Sequence, residues 1–289
     1  MILADLGLFY CAFFWGLSFV TMKILVEVYP TCWILFLRFT AGAALIYLFF
    51  HRRINKNIIH DFKGGVILGF LLFLALMTQT VGLNYIGGGR SAFISATYVL
   101  MVPLMLWAAA KIFPGWITLG AAVLCVAGMY LLTGDELSGT FNIGDFLSIL
   151  CAVIFAFQVI LISKYARGCD PITLSFAEFV SLAFFAFVTS LIFETRKELI
   201  DVASLPELLF TIVLCTFGCY MIQICAQKFV RPARATIIMS LESVFGLVSS
   251  VILLGEPVSF RSVLGCVLIF IAVLTAELEP LLKIKKSGS

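Results

Sequence analysis

The chain has 289 residues, of which 62% are hydrophobic and only 12% are charged. A soluble globular domain carries roughly 25% charged and 45–50% apolar residues, so this composition excludes a soluble fold and indicates a chain whose solvent is lipid. The net charge of +3 is too small to indicate a nucleic-acid partner.

Apolar runs of about 20 residues, the length that crosses a bilayer as a helix, recur along the whole chain. They predict an all-α membrane protein with ten transmembrane helices, at residues 5–26, 31–51, 64–86, 90–111, 116–134, 143–165, 171–193, 205–229, 232–254 and 261–281. Most connections are short, so we expect consecutive helices to be antiparallel neighbours.

Polar and aromatic side chains interrupt these apolar spans. In chain order they are Trp15, Lys23, Arg38, Gln79, Tyr98, Phe155, Gln158, Glu178, Gln223 and Glu242. An isolated charge or amide is costly in lipid, so each is expected to face a cavity or a neighbouring helix. We predict gating or structural roles for Lys23, Arg38 and Glu178, and substrate binding for the other seven.

Glu242 has two interpretations. It could bind a substrate ammonium group or exchange a proton when the cavity opens, or it could be a protonated carboxyl that holds two helices together. Lys23 and Arg38, placed toward the outer ends of their helices, could attract a carboxylate or extend toward the interface. Trp15 and Tyr98 could line a cavity or simply pack.

The distribution of Lys and Arg predicts the orientation, because basic residues are enriched on the cytoplasmic side. With both termini inside, the inner side holds thirteen of them: Arg52, Arg53, Lys56, Lys63, Lys111, Lys164, Arg167, Lys228, Arg231, Arg234, Lys283, Lys285 and Lys286. The outer side holds four: Arg90, Arg196, Lys197 and Arg261. The sequence therefore predicts cytoplasmic N- and C-termini.

The two halves of the chain resemble each other. The segment ADLGLFYCAFFWG (4–16) resembles GDFLSILCAVIFA (144–156), and Asp5 corresponds to Asp145. Farther on, Gln79 corresponds to Gln223, Arg90 to Arg234, and Tyr98 to Glu242. We predict two five-helix repeats, at residues 1–138 and 139–289. An odd number of helices inverts the second copy, and such repeats place a substrate site between them near the midplane.

Several segments also resemble the EamA branch of the drug/metabolite transporter superfamily. They are WGLSFVTMK (15–23), ILFLRFTAGA (34–43), NYIGGGRSAFISATYVLMVPLMLWAAA (84–110) and FVRPARATIIMSLESVFGLVSSVILLGEPVS (229–259), the last with Glu256 in its Leu-Gly-Glu element. The resemblance covers essentially the whole chain and implies export of small metabolites or drugs. Ser243 stands where the family often has Pro after the ninth-helix Glu.

Nine cysteines and two histidines show no spacing typical of a metal site. His51 and His60 fall in one basic loop, and most cysteines lie in apolar runs, where they behave as small hydrophobic residues. We expect no disulfide, metal or cofactor. A membrane-embedded enzyme would need clustered His, Asp or Cys at the interface, and the sequence shows none.

These observations predict a secondary carrier in a bacterial-type inner membrane that exports small metabolites, with amino acids as the first choice. The predicted partners are a small-molecule substrate and the bilayer, and we expect a monomer, with a dimer left open. Efflux of cationic or aromatic drugs is the alternative, and exchange of phosphorylated metabolites is a third. No nucleotide-binding motif indicates direct use of ATP.

Overall fold

The computed structural model describes residues 2–54, 58–82, 84–86, 88–111, 113–133, 140–195, 201–255 and 258–287. Every regular element in these ranges is a helix. Nine described helices are long and apolar enough to cross a bilayer, and the described apolar part of the tenth, Phe260–Ala276, is shorter. The predicted all-α fold is therefore confirmed. Several features named in the sequence analysis lie outside the described residues. They are the repeat boundary at 138 and 139, Lys56, Arg196, Lys197 and Glu256.

The first five spans are α1 (Ile2–Val28), α2 (Thr31–Phe50), α3 (Ile58–Gly82), α4 (Gly88–Ala96) with α5 (Tyr98–Ala110), and α6 (Trp116–Thr133). The others are α7 (Ile143–Gly168), α8 (Pro171–Phe193), α9 (Leu205–Phe210) with a π-helix (Thr211–Tyr220) and α10 (Met221–Gln227), α11 (Pro232–Met239) with α12 (Leu241–Leu254), and α13 (Phe260–Ser287). The third helix begins six residues earlier than predicted, so His60 and Asp61 belong to a helix and not to a loop.

Polar residues fix the starts of several helices. The Asn142 side chain accepts a hydrogen bond from the Gly144 backbone N–H, and Asp145 accepts one from the Asn142 N–H, which together form a capping box at α7. Asp170 caps α8 through the Thr173 N–H, with Pro171 in the first turn.

The helices of the two halves are interleaved. The first helix, α1, packs mainly against α12 and the eighth span, whereas α3 packs against α7 and α8. In the same way α7 packs against α4 and α5, and α13 packs against α6. Each half therefore buries its apolar surface largely against the other half.

Two ion pairs also join the halves. Arg90 binds Asp145 in a bidentate manner, with Nε 2.6 Å from Oδ1 and Nη2 2.8 Å from Oδ2. Arg234 Nη2 lies 3.0 Å from Asp5 Oδ2. The sequence comparison pairs Asp5 with Asp145 and Arg90 with Arg234, so one ion pair is the counterpart of the other.

Candidate functional site

The fourth and ninth spans are interrupted at Thr97 and Ser240, positions that agree to within one residue at the offset of 144 that pairs Tyr98 with Glu242. At each interruption a side-chain hydroxyl donates to the carbonyl three residues earlier: Thr97 Oγ1 to Ile94 O at 2.6 Å, and Ser240 Oγ to Ile237 O at 2.6 Å. The backbone tightens there to 3₁₀-type bonds, such as Ser243 N–H to Ser240 O. Such a tightened turn inside a long helix often marks a hinge or a functional site.

Tyr98 and Glu242 each lie in the first turn after an interruption, near the middle of their spans. Both side chains are half-buried. The carboxyl of Glu242 is close enough to Tyr98, Tyr220 and Cys219 for electrostatic interaction. On α1, Gly16 allows the backbone around Glu242 to approach closely, because a Cβ there would lie 2.8 Å from the Glu242 carbonyl oxygen.

Aromatic rings connect the two halves at this depth. The ring of Trp15 lies 5.1 Å from that of Tyr220, and the ring of Tyr98 lies 5.9 Å from that of Phe155. Tyr220 also contacts Phe39, at 5.4 Å between ring centroids. The predicted aromatic residues therefore lie in one region, together with a tyrosine that the sequence analysis did not select.

Arg38 is buried at the eighth position of the 20-residue helix α2, close to its middle. Its Nε donates to Thr216 Oγ1 at 3.1 Å, and its Nη1 lies 3.2 Å from the Met22 sulfur. Thr216 belongs to the π-helix, and π-type turns are frequent at functional sites. The structure thus anchors the guanidinium inside the bundle, as a structural or substrate-facing charge.

Glu178 is fully buried and interacts with Gln158, not with Arg38. Gln158 Nε2 donates to Glu178 Oε1 at 3.0 Å, while Oε2 has no hydrogen-bond partner among the described residues. Tyr220 lies within electrostatic range of both Glu178 and Arg38. Two carboxyl groups, one guanidinium and several aromatic rings are thus gathered around Tyr220.

Three of the predicted residues lie away from this cluster. Gln79 is half-buried one turn before the end of α3, and Gln223 is buried in α10, likewise near the C-terminal end of its span. Lys23 is exposed toward the end of α1. Of the ten predicted residues, seven lie near the middle of their spans: Trp15, Arg38, Tyr98, Phe155, Gln158, Glu178 and Glu242.

The sequence analysis missed Tyr220 and Thr216. Neither has a polar counterpart at the offset of 144 residues, which pairs Tyr220 with Leu76 and Thr216 with Leu72. The only available signal was the position of Tyr220 three residues before Gln223, on the same span.

The expectation that His, Asp and Cys do not cluster at the interface is also wrong. Ligand atoms of His60, Asp61 and Cys169 lie within 4.8 Å of one another at the ends of α3 and α7. Residues 61 and 169 are far apart in the chain, and a search for short spacings could not detect a cluster formed by packing.

Comparison with known proteins places these observations in a family. The chain matches the EamA-like transporter family over residues 2–134 and again over residues 142–276. It is 34% identical over 280 residues to a protein of Archaeoglobus fulgidus described as an uncharacterized transporter, covering 96% of this chain and 86% of that protein. A solved crystal structure superimposes with a TM-score of 0.82 at 15% identity, covering 95% of this chain and 96% of the other. This last likeness concerns the fold alone.

Proposed function

Since this chain belongs to the EamA-like transporter family, we propose that it is a secondary-active carrier that exports small metabolites, with amino acids as the substrate class. The observation that supports this choice is the cluster at mid-depth, where Arg38, Glu178 and Glu242 supply both signs of charge beside Trp15 and Tyr220. A zwitterion with an apolar side chain matches such a set of groups better than a multiply charged anion does.

In this proposal the Arg38 guanidinium attracts the substrate carboxylate and the Glu242 carboxylate attracts its ammonium group. Trp15, Tyr98 and Tyr220 contact the substrate side chain, with Phe155 behind Tyr98. Gln158 holds the Glu178 carboxyl in place and acts on the substrate only indirectly. Gln79 and Gln223 each lie near the C-terminal end of their spans. In this proposal the two spans cross the membrane in opposite directions, so the two amides line the paths that lead to the site from the two sides. Lys23 belongs to the outer entrance.

The two halves form inverted repeats in a plasma membrane of bacterial type, with both termini in the cytoplasm. Three observations support this arrangement. The family match occurs twice, and the helix interruptions lie at nearly corresponding positions. In one ion pair between the halves the arginine comes from the first half, and in the other it comes from the second half. The inverted halves would then rock around the site and open it to one side at a time. The whole site is built within one chain, which is in keeping with a monomeric carrier.

Glu242 is the proposed coupling group for protons. A carboxyl group at mid-depth can bind a proton while the cavity faces one side and release it on the other. Its position in the first turn of α12, at a flexible interruption, lets its surroundings change as the halves move.

Efflux of cationic or aromatic drugs is the second candidate. It is favoured by the rings of Trp15, Tyr98 and Tyr220 near the Glu242 carboxyl group, since aromatic faces and a carboxylate together attract an organic cation.

Solute counterflow in proteoliposomes tests both candidates. Vesicles loaded with one unlabelled amino acid at a time should accumulate the same labelled amino acid, and Glu242→Gln should abolish this accumulation. The matched control is Glu27→Gln, which neutralises an exposed carboxyl on α1 and should transport normally. Accumulation of lipophilic cations alone would favour drug efflux. Equal activity of the Glu242→Gln and Glu27→Gln proteins would contradict the role of Glu242.

A further inference from the structure

A group of potential metal ligands lies away from the proposed transport site, where α3 and α8 begin. His60 and Asp61 are in the first turn of α3, and Cys169 directly follows the end of α7. The group therefore combines an imidazole, a carboxylate and a thiol, two of them from the first half of the chain and one from the second.

The distances within this group resemble those of a tetrahedral zinc site. His60 Nδ1 lies 3.6 Å from Cys169 Sγ and 3.5 Å from Asp61 Oδ1. Zinc bonds of about 2.3 Å to sulfur and about 2.0–2.1 Å to nitrogen or oxygen, at tetrahedral angles, separate the ligand atoms by about 3.3–3.6 Å. All three ligand atoms lie within 4.8 Å of one another. One ion could therefore contact all three with only small side-chain movements.

A hydrogen bond from outside the group orients one of these ligands. Asp61 Oδ2 accepts a hydrogen bond from the Asp170 backbone N–H at 3.0 Å, which orients the carboxylate and directs Oδ1 toward His60. Outer hydrogen bonds of this kind are typical of metal sites. Asp61 and Cys169 are buried, whereas the His60 side chain is 75% exposed, so an ion can enter from water past the imidazole.

We propose that His60, Asp61 and Cys169 form a site for a soft divalent cation, with zinc as the preferred ion and a water molecule as the fourth ligand. Imidazole and thiolate ligands favour zinc over magnesium or calcium, which bind oxygen ligands. The bound ion would tie the start of α3 to the connection between α7 and α8. It would thus join the two halves of the chain at one end of the bundle.

Cobalt provides a direct optical test. The full-length protein, purified in detergent without a polyhistidine tag, is titrated with Co²⁺. Wild-type protein should bind one ion per chain and show the thiolate-to-cobalt charge-transfer band together with the visible bands of four-coordinate cobalt. Added Zn²⁺ should remove both. Bound Zn²⁺ should also raise the temperature of unfolding, because a ligand that binds only the folded state stabilises it.

Matched variants separate this site from adventitious binding. Cys169→Ser should lose the charge-transfer band. Cys225→Ser removes a partly buried thiol that is not in the group, and this variant should keep the band. His60→Ala should weaken binding by at least about tenfold, since even the loss of an outer-shell partner can do so, and His51→Ala should not change it. The His60 side chain is exposed, so its removal should not disturb folding. A band that persists in Cys169→Ser, no band in wild type, or equal effects of His60→Ala and His51→Ala would each overturn the proposal.

Discussion

Tyr220 is the residue around which the charged and aromatic side chains of the candidate site are arranged. It is the last residue of the π-helix, and its ring contacts Trp15 of the first half. A π-type turn contains more residues than an α-turn, so it changes the register of the side chains that follow. The irregular backbone of the eighth span therefore determines where the Tyr220 hydroxyl points.

Removal of that hydroxyl should affect transport more than stability. We expect Tyr220→Phe to keep the packing against Trp15 and Phe39 and leave the unfolding temperature unchanged. The substrate concentration for half-maximal transport should rise roughly tenfold, because a hydrogen bond to a charged group contributes about 1.5–3 kcal/mol. Concentration-dependent counterflow measures this value. Tyr47→Phe, at an exposed position of α2, is the control, and equal behaviour of the two variants would argue against a substrate contact.

The Gln158–Glu178 hydrogen bond should be visible as a coupling in stability. Gln158→Leu leaves a fully buried carboxyl without its donor, and we expect it to lower the free energy of unfolding by about 1–3 kcal/mol. The double change Gln158→Leu with Glu178→Leu removes both polar partners and should recover much of that loss. Denaturant-induced unfolding in detergent measures both. A double variant that loses the sum of the two single effects would show that the residues act independently.

At the scale of helices, close packing of α3 on α8 depends on small residues. A Cβ at Gly65 or Gly69 would run into the α8 backbone around Glu178. The corresponding positions of the eighth span, at an offset of 144 residues, are Leu209 and Val213. The eighth span also packs less extensively on α2 than α3 packs on α8, so the two halves differ in packing as well as in sequence.

Gly69→Ala should show how much this close approach contributes. The added methyl group would meet the Glu178 carbonyl oxygen, which is fixed in a helix, so we expect a destabilisation of about 1–3 kcal/mol. Gly120→Ala is the control, because a Cβ at Gly120 has no atom within 4 Å and should change stability by less than about 0.5 kcal/mol. Thermal unfolding of both variants in the same detergent gives the comparison. If the two variants unfold at similar temperatures, α3 and α8 can move apart at little cost to make room for the methyl group.

The helices themselves were predictable from the sequence, whereas their irregularities were not. The seventh span, which is α8, begins and ends at the predicted residues because Asp170 and Pro171 mark its start and Glu194 follows its end. The interruptions at Thr97 and Ser240 occur without Gly or Pro at the break itself. Their hydroxyls bond to the backbone within one turn, and Ser and Thr often do so without ending a helix. The π-helix likewise has no sequence signal. Because Thr216 and Tyr220 belong to it, the sequence did not predict that these two residues face the candidate site.

At the scale of the whole molecule, the two ion pairs between the halves are not equivalent. Arg90 makes two hydrogen bonds to Asp145, whose side chain is 1% exposed and also accepts from the Asn142 N–H. The Arg234–Asp5 pair is longer, and its carboxylate is 16% exposed. The first pair therefore holds α4 to the capped start of α7, and the second holds α11 to α1 in a wetter environment.

Loss of the buried pair should be the more costly. Arg90→Ala leaves a buried carboxylate without its guanidinium, and we expect a destabilisation of about 3 kcal/mol. Arg234→Ala should lower stability by less than this, because the Asp5 carboxylate that it leaves behind is more exposed than that of Asp145. Unfolding measurements on the two variants give the ranking. A larger effect of Arg234→Ala would mean that solvent exposure does not determine the strength of these pairs.

The interleaving of the halves also has a consequence for synthesis of the chain. The first helix made, α1, finds its main partners in the eighth and ninth spans, and Asp5 is 229 residues from Arg234. At about 5–20 residues per second, the ribosome needs on the order of 10–50 s to supply that partner. During this interval α1 lies in the bilayer with lipid against the surface that later contacts α12. Nascent chains that end before residue 205 lack both the eighth and the ninth span, so they should leave α1 loosely packed and sensitive to protease, even though they already contain the whole predicted first repeat.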